Sequence, residues 1–485
     1  MSFRARVMSG LFWVGGTRLV GQILTWGITI VVIRLLTPGD YGLLAMATVF
    51  MGFLSLVAEA GLGPALMQAP KLDDQTLRRI FGVVILVNCT LFALQFGTAP
   101  LVAKFFDEDR LVLILRVLAI NFLVSIFSVV PGALLMRKLD FRRVSMIQLA
   151  GSIVGSMTSV VLAIEGYGVW ALVVSNLVST AVTMIAINVV SPYLRWPEFS
   201  LEGTRRLILV GSQVTGARAL YFIYSQADVF IGGRIFGKDL LGFYSIALHL
   251  ASLPVQKISS IVNQIAFPAF AEAQHDARAV TWHMLKGIRL LSFLSFPVLW
   301  GISSIAPDIV AVLLGQKWES AIVPLQVLPL VMPVTILSPF LNTAFQGIGK
   351  SYIVLRNAMT ACVILPAAFW IGAHWGLLGM SLAWLIGFPL VFYLNLRRML
   401  PLVGLKVSSV LAAAGWPTLA AAVMYACVAT MRYVLVGNVP EAVLMAALIA
   451  AGAAAYIATT LTTNRSGVRE VVELFRKQPA PGKVS

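Results

Sequence analysis

The sequence predicts an all-α, polytopic membrane protein with about fourteen transmembrane helices. Of its 485 residues, 59% are hydrophobic and only 12% are charged, and the mean hydropathy is +0.90. Soluble globular domains carry about 25% charged residues, so this chain lacks the polar surface that a soluble enzyme needs. Long apolar runs recur along the chain, and cationic residues concentrate in alternate loops, as in multi-pass membrane proteins.

Fourteen predominantly apolar runs are each long enough to cross a bilayer, which takes about 20 residues. Tight turns such as Thr37–Asp40 and Glu165–Tyr167 separate some of them. The connecting loops leave no room for a soluble catalytic domain, so the function is expected inside the membrane. The predicted runs are residues 9–36, 41–68, 79–104, 111–136, 144–164, 168–190, 206–236, 240–271, 285–314, 320–346, 351–372, 376–398, 409–431 and 441–463.

The distribution of Lys and Arg predicts that both chain ends lie in the cytoplasm. With the N-terminus inside, the inner segments carry 24 Lys and Arg residues and the outer loops carry 5. Cytoplasmic loops of membrane proteins are enriched in these residues. The net charge of +16 is therefore interpreted as the charge of inner loops, and no nucleic-acid partner is expected.

An internal repeat supports a two-lobed architecture. A shift of 200 residues brings Arg34 onto Arg234 and Gly42 onto Gly242 without a gap. Six helices, an even number, separate the two copies, so both have the same orientation in the membrane. The sequence therefore predicts two pseudo-symmetric six-helix lobes and two added helices, an arrangement typical of alternating-access transporters. The predicted domains are an N-terminal lobe at 1–200, a C-terminal lobe at 201–400, two helices at 401–463 and an amphipathic cytoplasmic tail at 464–485.

Charged and polar residues follow single faces of the first, second, seventh and eighth predicted helices. An arginine at the bilayer centre costs about 2.5 kcal/mol or more, so it normally faces water or a partner. We therefore predict a wet, cationic central cavity for an anionic substrate, because arginine binds phosphate through its planar donors. The predicted substrate-binding cations are Arg18, Arg34, Arg218, Arg234 and Lys257. The predicted polar or coupling residues are Gln22, Thr25, Glu59, Asp228, His249 and Asn263.

Structural roles for some of these residues remain open at this point. Pairing inside the protein, such as Arg218 with Asp228, would hold helices together instead of binding substrate. Lys257 could extend along its helix towards the interface. Glu59 could relay protons or serve as a counterion.

The sequence shows no pattern of catalytic, metal or nucleotide chemistry. The three cysteines lie far apart in apolar stretches, and the four histidines lack metal-ligand spacing. The phosphate-binding loop GxxxxGK[ST] is absent. The acidic cluster Asp107–Asp109 is interpreted as a solvated turn, and Arg116 and Arg289 are interpreted as structural. We expect a non-enzymatic protein without cofactor or metal.

Several segments share their order and spacing with one known family. They are 39–44 (GDYGLL), 59–68 (EAGLGPALMQ), 131–143 (PGALLMRKLDFRR) and 166–173 (GYGVWALV). The chain resembles Wzx-type polysaccharide flippases over residues 5–400. Segments 267–271 (FPAFA) and 315–318 (GQKW) are similar to the colanic-acid exporter subgroup in particular. These flippases form the polysaccharide transport branch of the multidrug/oligosaccharidyl-lipid/polysaccharide flippase superfamily.

The resemblance implies a fold like that of MATE transporters and peptidoglycan-precursor flippases, in the bacterial inner membrane. It implies that oligosaccharide repeat units on undecaprenyl pyrophosphate are flipped to the outer leaflet by alternating access, for exopolysaccharide, O-antigen or capsule. Implied partners are this lipid-linked oligosaccharide, membrane lipids and the polymerase or export machinery. The alternatives are a peptidoglycan-precursor flippase, a drug/cation antiporter of the same superfamily and a membrane-embedded polysaccharide polymerase.

Overall fold

The computed structural model describes residues 25–59, 73–138, 140–193, 195–200, 216, 218–273 and 276–463. Within these ranges the regular structure is helical and contains no strand. Eleven of the described helices are long and apolar enough to cross a membrane. Each predicted apolar run coincides, over its described residues, with helical structure. The all-α, polytopic membrane fold is therefore confirmed, while the tail predicted at 464–485 lies outside the described residues.

The chain divides into two compact units, residues 1–242 and 243–485. The lobes predicted at 1–200 and 201–400 rest on the internal repeat, and they stay a prediction. The helices of the first unit are α1 (Thr25–Leu35), α2 (Pro38–Glu59), α3 (Asp74–Phe106), α4 (Arg110–Arg137), α5 (Phe141–Ile164), α6 (Val169–Val190) and α7 (218–225). Helix α8 (Ala227–Ala273) begins in the first unit, breaks at Gly237 and ends in the second.

The rest of the second unit consists of helices joined by short connections. They are α9 (Ala277–Ser304), the short α10 (Ala306–Ile309), α11 (Ile322–Gly347), α12 (Ser351–Ala373), α13 (Gly376–Met399), α14 (Val407–Leu435) and α15 (Glu441–Thr463). Short stretches of π-helix at 310–314 and of 3₁₀ helix at 316–321 and 400–403 lie between some of them.

Acidic side chains fix the starts of several helices. The side chain of Asp73 accepts a hydrogen bond from the Thr76 backbone N–H at 3.1 Å and caps α3. Before α2, the backbone N–H of Thr37 donates to Asp40 Oδ2 at 2.9 Å, across the Pro38 that begins the helix. Carboxylates suit these positions because they satisfy free backbone donors at the positive end of the helix. Asp140 and Asp276 cap α5 and α9 in the same way.

Small and apolar side chains hold each unit together. In the first unit, Leu54, Leu91 and Phe122 form a buried cluster that joins α2, α3 and α4. In the second, α9, α14 and α15 share a cluster that includes Phe296 and Met424. Inside a bilayer such contacts stabilise by close packing, since lipid is as apolar as the side chains. These clusters fix the backbone positions of the polar residues described next.

Candidate functional site

The predicted site residues are distributed over four described helices. Arg34 lies in the last turn of α1, Arg218 in the first turn of α7, and Arg234 and Lys257 in α8; all four residues are exposed. Arg18 and Gln22 lie outside the described residues, as do the side chains of Glu59 and Asn263, whose backbones are helical. The three cations of the first unit are thus accessible on helices that otherwise consist mostly of apolar residues.

Helix α2 packs antiparallel to α7 and the start of α8. A β-carbon built on Gly52 would lie 2.9 Å from the Phe222 ring, and one built on Gly233 would lie 3.3 Å from the Met46 side chain. This register places the backbone of Arg218, one turn before Phe222, level with the last turn of α2. The last turn of α2 contains Glu59, so the structure brings these two predicted backbone positions to the same depth.

The remaining predicted polar residues differ in burial. Asp228, at the start of α8, is fully buried, and its Oδ1 accepts a hydrogen bond from the Val229 backbone N–H at 2.8 Å. Thr25 Oγ1 lies 3.2 Å from Ser152 Oγ and links α1 to α5. His249 is exposed on α8, in the second unit. The buried carboxylate and the exposed cations therefore occupy different environments.

Two glycines allow α2 and α8 to touch backbone to backbone. A β-carbon on Gly42 would stand 1.8 Å from the Lys238 carbonyl oxygen, and one on Gly242 would stand 1.8 Å from the Pro38 carbonyl oxygen. Any side chain larger than hydrogen would collide at either position. We call residues 38–42 with 238–242 the glycine crossing. It lies at the end of the first unit that the charge distribution predicts to be outside.

An ion pair network flanks the glycine crossing. Lys238 Nζ donates to Glu108 Oε2 at 2.6 Å, and Arg110 Nε donates to Glu108 Oε1 at 3.0 Å. Partial burial raises the pKa of the Glu108 carboxyl, but the hydrogen bonds from Lys238 and Arg110 outweigh this effect and hold the pKa below its ordinary value. The interpretation of Asp107–Asp109 as a solvated turn is therefore wrong for Glu108, whose side chain is 15% exposed.

At the opposite end of the first unit, residues 195–200 lie against the start of α3. Arg79 Nε donates to Glu198 Oε1 at 2.8 Å, and Arg78 Nε donates to the Trp196 carbonyl at 2.9 Å. The hydrogen bond from Arg79 holds the pKa of the Glu198 carboxyl below its ordinary value. These contacts fix the connection that follows α6 onto the first unit.

The second unit contains an apolar cavity of about 460 Å³ between α9, α14 and α15. Glycines at 301 and 452 and the ring of Tyr456 line it, together with aliphatic side chains. The Tyr456 hydroxyl donates to the Phe293 carbonyl at 2.9 Å, so the polar end of this lining residue is paired within the protein. Such a surface suits a hydrocarbon chain.

Neither the ion pair network at Glu108 nor the apolar cavity is predicted by a pattern in the sequence. Glu108 and Lys238 are 130 residues apart, and their pairing depends on the fold. The two glycines of the crossing were visible in the sequence, because Gly42 and Gly242 align in the internal repeat. Among the described residues, no group of three or more His, Cys, Asp and Glu side chains could hold a metal ion.

The structure has the fold of a lipid flippase. The solved structure of the lipid II flippase MurJ, in an inward closed conformation, superimposes with a TM-score of 0.76 over 94% of this chain and 99% of that chain, at 14% identity. At this identity the likeness shows the fold. Together with the membrane-spanning helices, it defines a multi-pass membrane protein of the MurJ fold.

Sequence comparison identifies the family. The family model described as "Polysaccharide biosynthesis protein" matches residues 31–323, and the chain belongs to this family. The succinoglycan biosynthesis transport protein ExoT of Rhizobium meliloti (strain 1021) is 26% identical over 457 residues, 91% of this chain and 90% of ExoT. The lipopolysaccharide biosynthesis protein WzxC of Escherichia coli (strain K12) is 21% identical over 393 residues, 80% of this chain and 79% of WzxC. This is a family of polysaccharide biosynthesis transporters, as the resemblance to Wzx-type flippases predicted.

Proposed function

We propose that this protein flips oligosaccharide repeat units linked to undecaprenyl pyrophosphate from the inner to the outer leaflet of the bacterial inner membrane. The observation that carries the proposal is the exposure of Arg34, Arg218 and Arg234 on helices α1, α7 and α8. Cations retained at membrane depth are costly and mark the path of a charged substrate. In this proposal the charged part of the substrate is its pyrophosphate headgroup.

Each part of the substrate has a matching surface. The guanidinium groups supply planar, paired donors for phosphate oxygens, which an ammonium group does not. The apolar cavity between α9, α14 and α15 offers a hydrocarbon surface for part of the isoprenoid chain. Within this proposal Asp228, in the first unit, stays buried as a structural acid. The chain itself performs no bond chemistry.

The glycine crossing gives the proposed alternating access a closed end. Contact between Gly42 and Lys238 leaves no passage there for a sugar. Release to the outside therefore requires α2 and α8 to separate at this crossing, and the Lys238–Glu108 ion pair must break with it. The charge distribution predicts both termini in the cytoplasm, and with them this end outside.

The test is a deletion strain complemented with single variants. Arg218→Ala should abolish surface polysaccharide while undecaprenyl-linked single repeats accumulate, measured by mass spectrometry, and immunoblots should show normal membrane levels. Lys104→Gln, which removes an exposed cation from α3, is the matched control and should export normally. Normal surface polymer in the deletion strain would contradict the proposal, and accumulation of the peptidoglycan precursor would replace it with the alternative flippase.

A further inference from the structure

Five cations lie at one end of the second unit, near the start of α12, the end of α13 and the start of α14. Lys350 Nζ donates to the Leu402 carbonyl at 3.2 Å, which ties the start of α12 to the turn after α13. Arg398 Nη1 donates to Thr360 Oγ1 at 2.5 Å, which ties α13 back to α12. We call the set the cationic cluster; its members are Lys350, Arg356, Arg397, Arg398 and Lys406.

Two further contacts complete the cationic cluster. The Thr360 hydroxyl also donates to the backbone carbonyl of Arg356, one turn earlier in α12, at 3.1 Å. After α13 the chain reverses at Gly404, whose φ of 71° is left-handed and favours glycine. The reversal brings Lys406, the residue before α14, to the same end of the unit. The five cations therefore lie at the same end of the second unit, around three helix ends and the turn 400–403.

The stretch of chain that carries the five cations contains no acidic residue. The sequence has no Asp or Glu between Glu319 and Glu441. Among the residues that the structure describes, none of the five cations forms an ion pair with an Asp or Glu side chain. Helix α9 packs here through Thr281, which donates to the Val403 carbonyl at 3.1 Å, and its first turns add Lys286 and the capping Asp276.

The cationic cluster lies at the depth of lipid headgroups. Helices α12, α13 and α14 are all long and apolar enough to span the membrane, so their shared end lies at its surface. Two aromatic residues at this end, Tyr352 and Trp282, are 65% and 53% exposed, and Lys286 stacks over the Trp282 ring at 4.5 Å. Exposed aromatic rings beside basic residues are typical of the membrane interface. Basic clusters at such ends bind the headgroups of anionic lipids.

We propose that the cationic cluster is a binding site for anionic phospholipid, with the phosphodiester of phosphatidylglycerol as its occupant. Phosphate chemistry alone would also fit a soluble phosphate compound. The position at the ends of three membrane-spanning helices favours the lipid, because a headgroup is held at this depth by its own acyl chains. None of the five cations belongs to α1, α7 or α8, the helices of the proposed transport path.

The experiment measures lipid binding to the purified full-length chain by native mass spectrometry. The wild type should bind phosphatidylglycerol in preference to phosphatidylcholine. The double variant R356Q/R397Q should weaken phosphatidylglycerol binding roughly fivefold for each cation removed, while R356K/R397K retains it. The matched control K104Q/K317Q loses the same charge from exposed positions elsewhere and should bind as the wild type does.

Two outcomes would overturn the proposal. Equal binding of both lipids, or equal loss in R356Q/R397Q and K104Q/K317Q, would show a general charge effect. Displacement of phosphatidylglycerol by equimolar inorganic pyrophosphate would identify a phosphate site instead of a lipid site. The lipid-binding assay contains no oligosaccharide, so a negative result would not contradict the proposed flipping. A negative result in the export assay would likewise not contradict the lipid site.

Discussion

Gly42 and Gly242 make equivalent contacts on opposite sides of one helix crossing. Each would place a β-carbon 1.8 Å from a carbonyl oxygen, that of Lys238 for Gly42 and that of Pro38 for Gly242. The contacting residues are themselves 200 positions apart, the shift that aligns the internal repeat. The two helix starts therefore meet as equivalent partners, which a local two-fold relation between the copies explains.

Alanine at either glycine should disturb the crossing to a similar extent. The added methyl group must displace backbone, and overpacking of this kind costs about 1–3 kcal/mol. We expect G42A and G242A each to lower the midpoint of thermal unfolding in detergent. Gly97→Ala is the control, since a β-carbon on Gly97 in α3 meets nothing within 4 Å. If G42A unfolds at the same temperature as G97A, the contact does not constrain α2 and α8.

The ion pair between Lys238 and Glu108 should make the stability of this end depend on pH. Because the folded state holds the pKa of Glu108 below its ordinary value, the carboxylate stabilises the fold fully above the ordinary pKa of about 4.3. That stability is lost as the pH falls through the lower, folded-state pKa. We expect E108Q to abolish this part of the acid dependence, measured by unfolding between pH 7 and pH 3.

A double-mutant cycle isolates the pair from other acidic groups. The side chains of Lys238 and Glu108 are 31% and 15% exposed, so solvent screens their interaction in part. We expect a coupling energy of about 1 kcal/mol or less between E108Q and K238M at pH 7. Additive effects of the two substitutions would show that the two groups do not interact, despite their 2.6 Å separation.

Removing one partner of the buried hydrogen bond from Trp384 to Tyr244 should destabilise the fold by more than the net free energy of a typical hydrogen bond. Trp384 Nε1 donates to Tyr244 Oη at 2.9 Å, and both residues are buried. Y244F removes this acceptor from the buried indole N–H, and the loss of an acceptor from a buried donor costs about 1–3 kcal/mol. The double variant Y244F/W384F removes both partners of the hydrogen bond. After the destabilisation of W384F alone is subtracted, the double variant should therefore lose less unfolding free energy than Y244F does. Equal stability of Y244F and the wild type in thermal unfolding would show that the bond is dispensable.

The sequence predicts the helices better than the site. Helix positions follow from apolar runs bounded by local turn chemistry, as at Thr37–Asp40, where the residues that form the turn are adjacent. The ion pair of Glu108 joins residues 130 positions apart, and no local pattern reports it. Candidate cations such as Arg218 can be identified from the sequence, because a charge within an apolar run has a high free-energy cost in a membrane. The contacts of each cation depend on the packing of the whole unit.

The predicted orientation can be tested by labelling single cysteines in a variant that lacks Cys89, Cys362 and Cys427. A cysteine at Asp107, between α3 and α4, should react with an impermeant maleimide on intact spheroplasts. A cysteine at Lys138, after α4, should react only after lysis, because the basic loop after α4 is expected to be cytoplasmic. Labelling of residue 138 in intact cells would invert the topology and place the glycine crossing inside.

A disulfide across the glycine crossing should block transport if α2 and α8 must separate there. A β-carbon built on Gly39 would lie 3.7 Å from Cγ of Asp239, which is one bond from the Asp239 β-carbon. Disulfides need β-carbons about 3.5–4.5 Å apart. In the cysteine-free background, G39C/D239C should therefore cross-link on oxidation, since the predicted location of the crossing is outside, where disulfides persist. Export should stop on oxidation and resume on reduction, while G39C alone exports under both conditions. Full export from a completely cross-linked protein would show that the substrate leaves without opening this crossing.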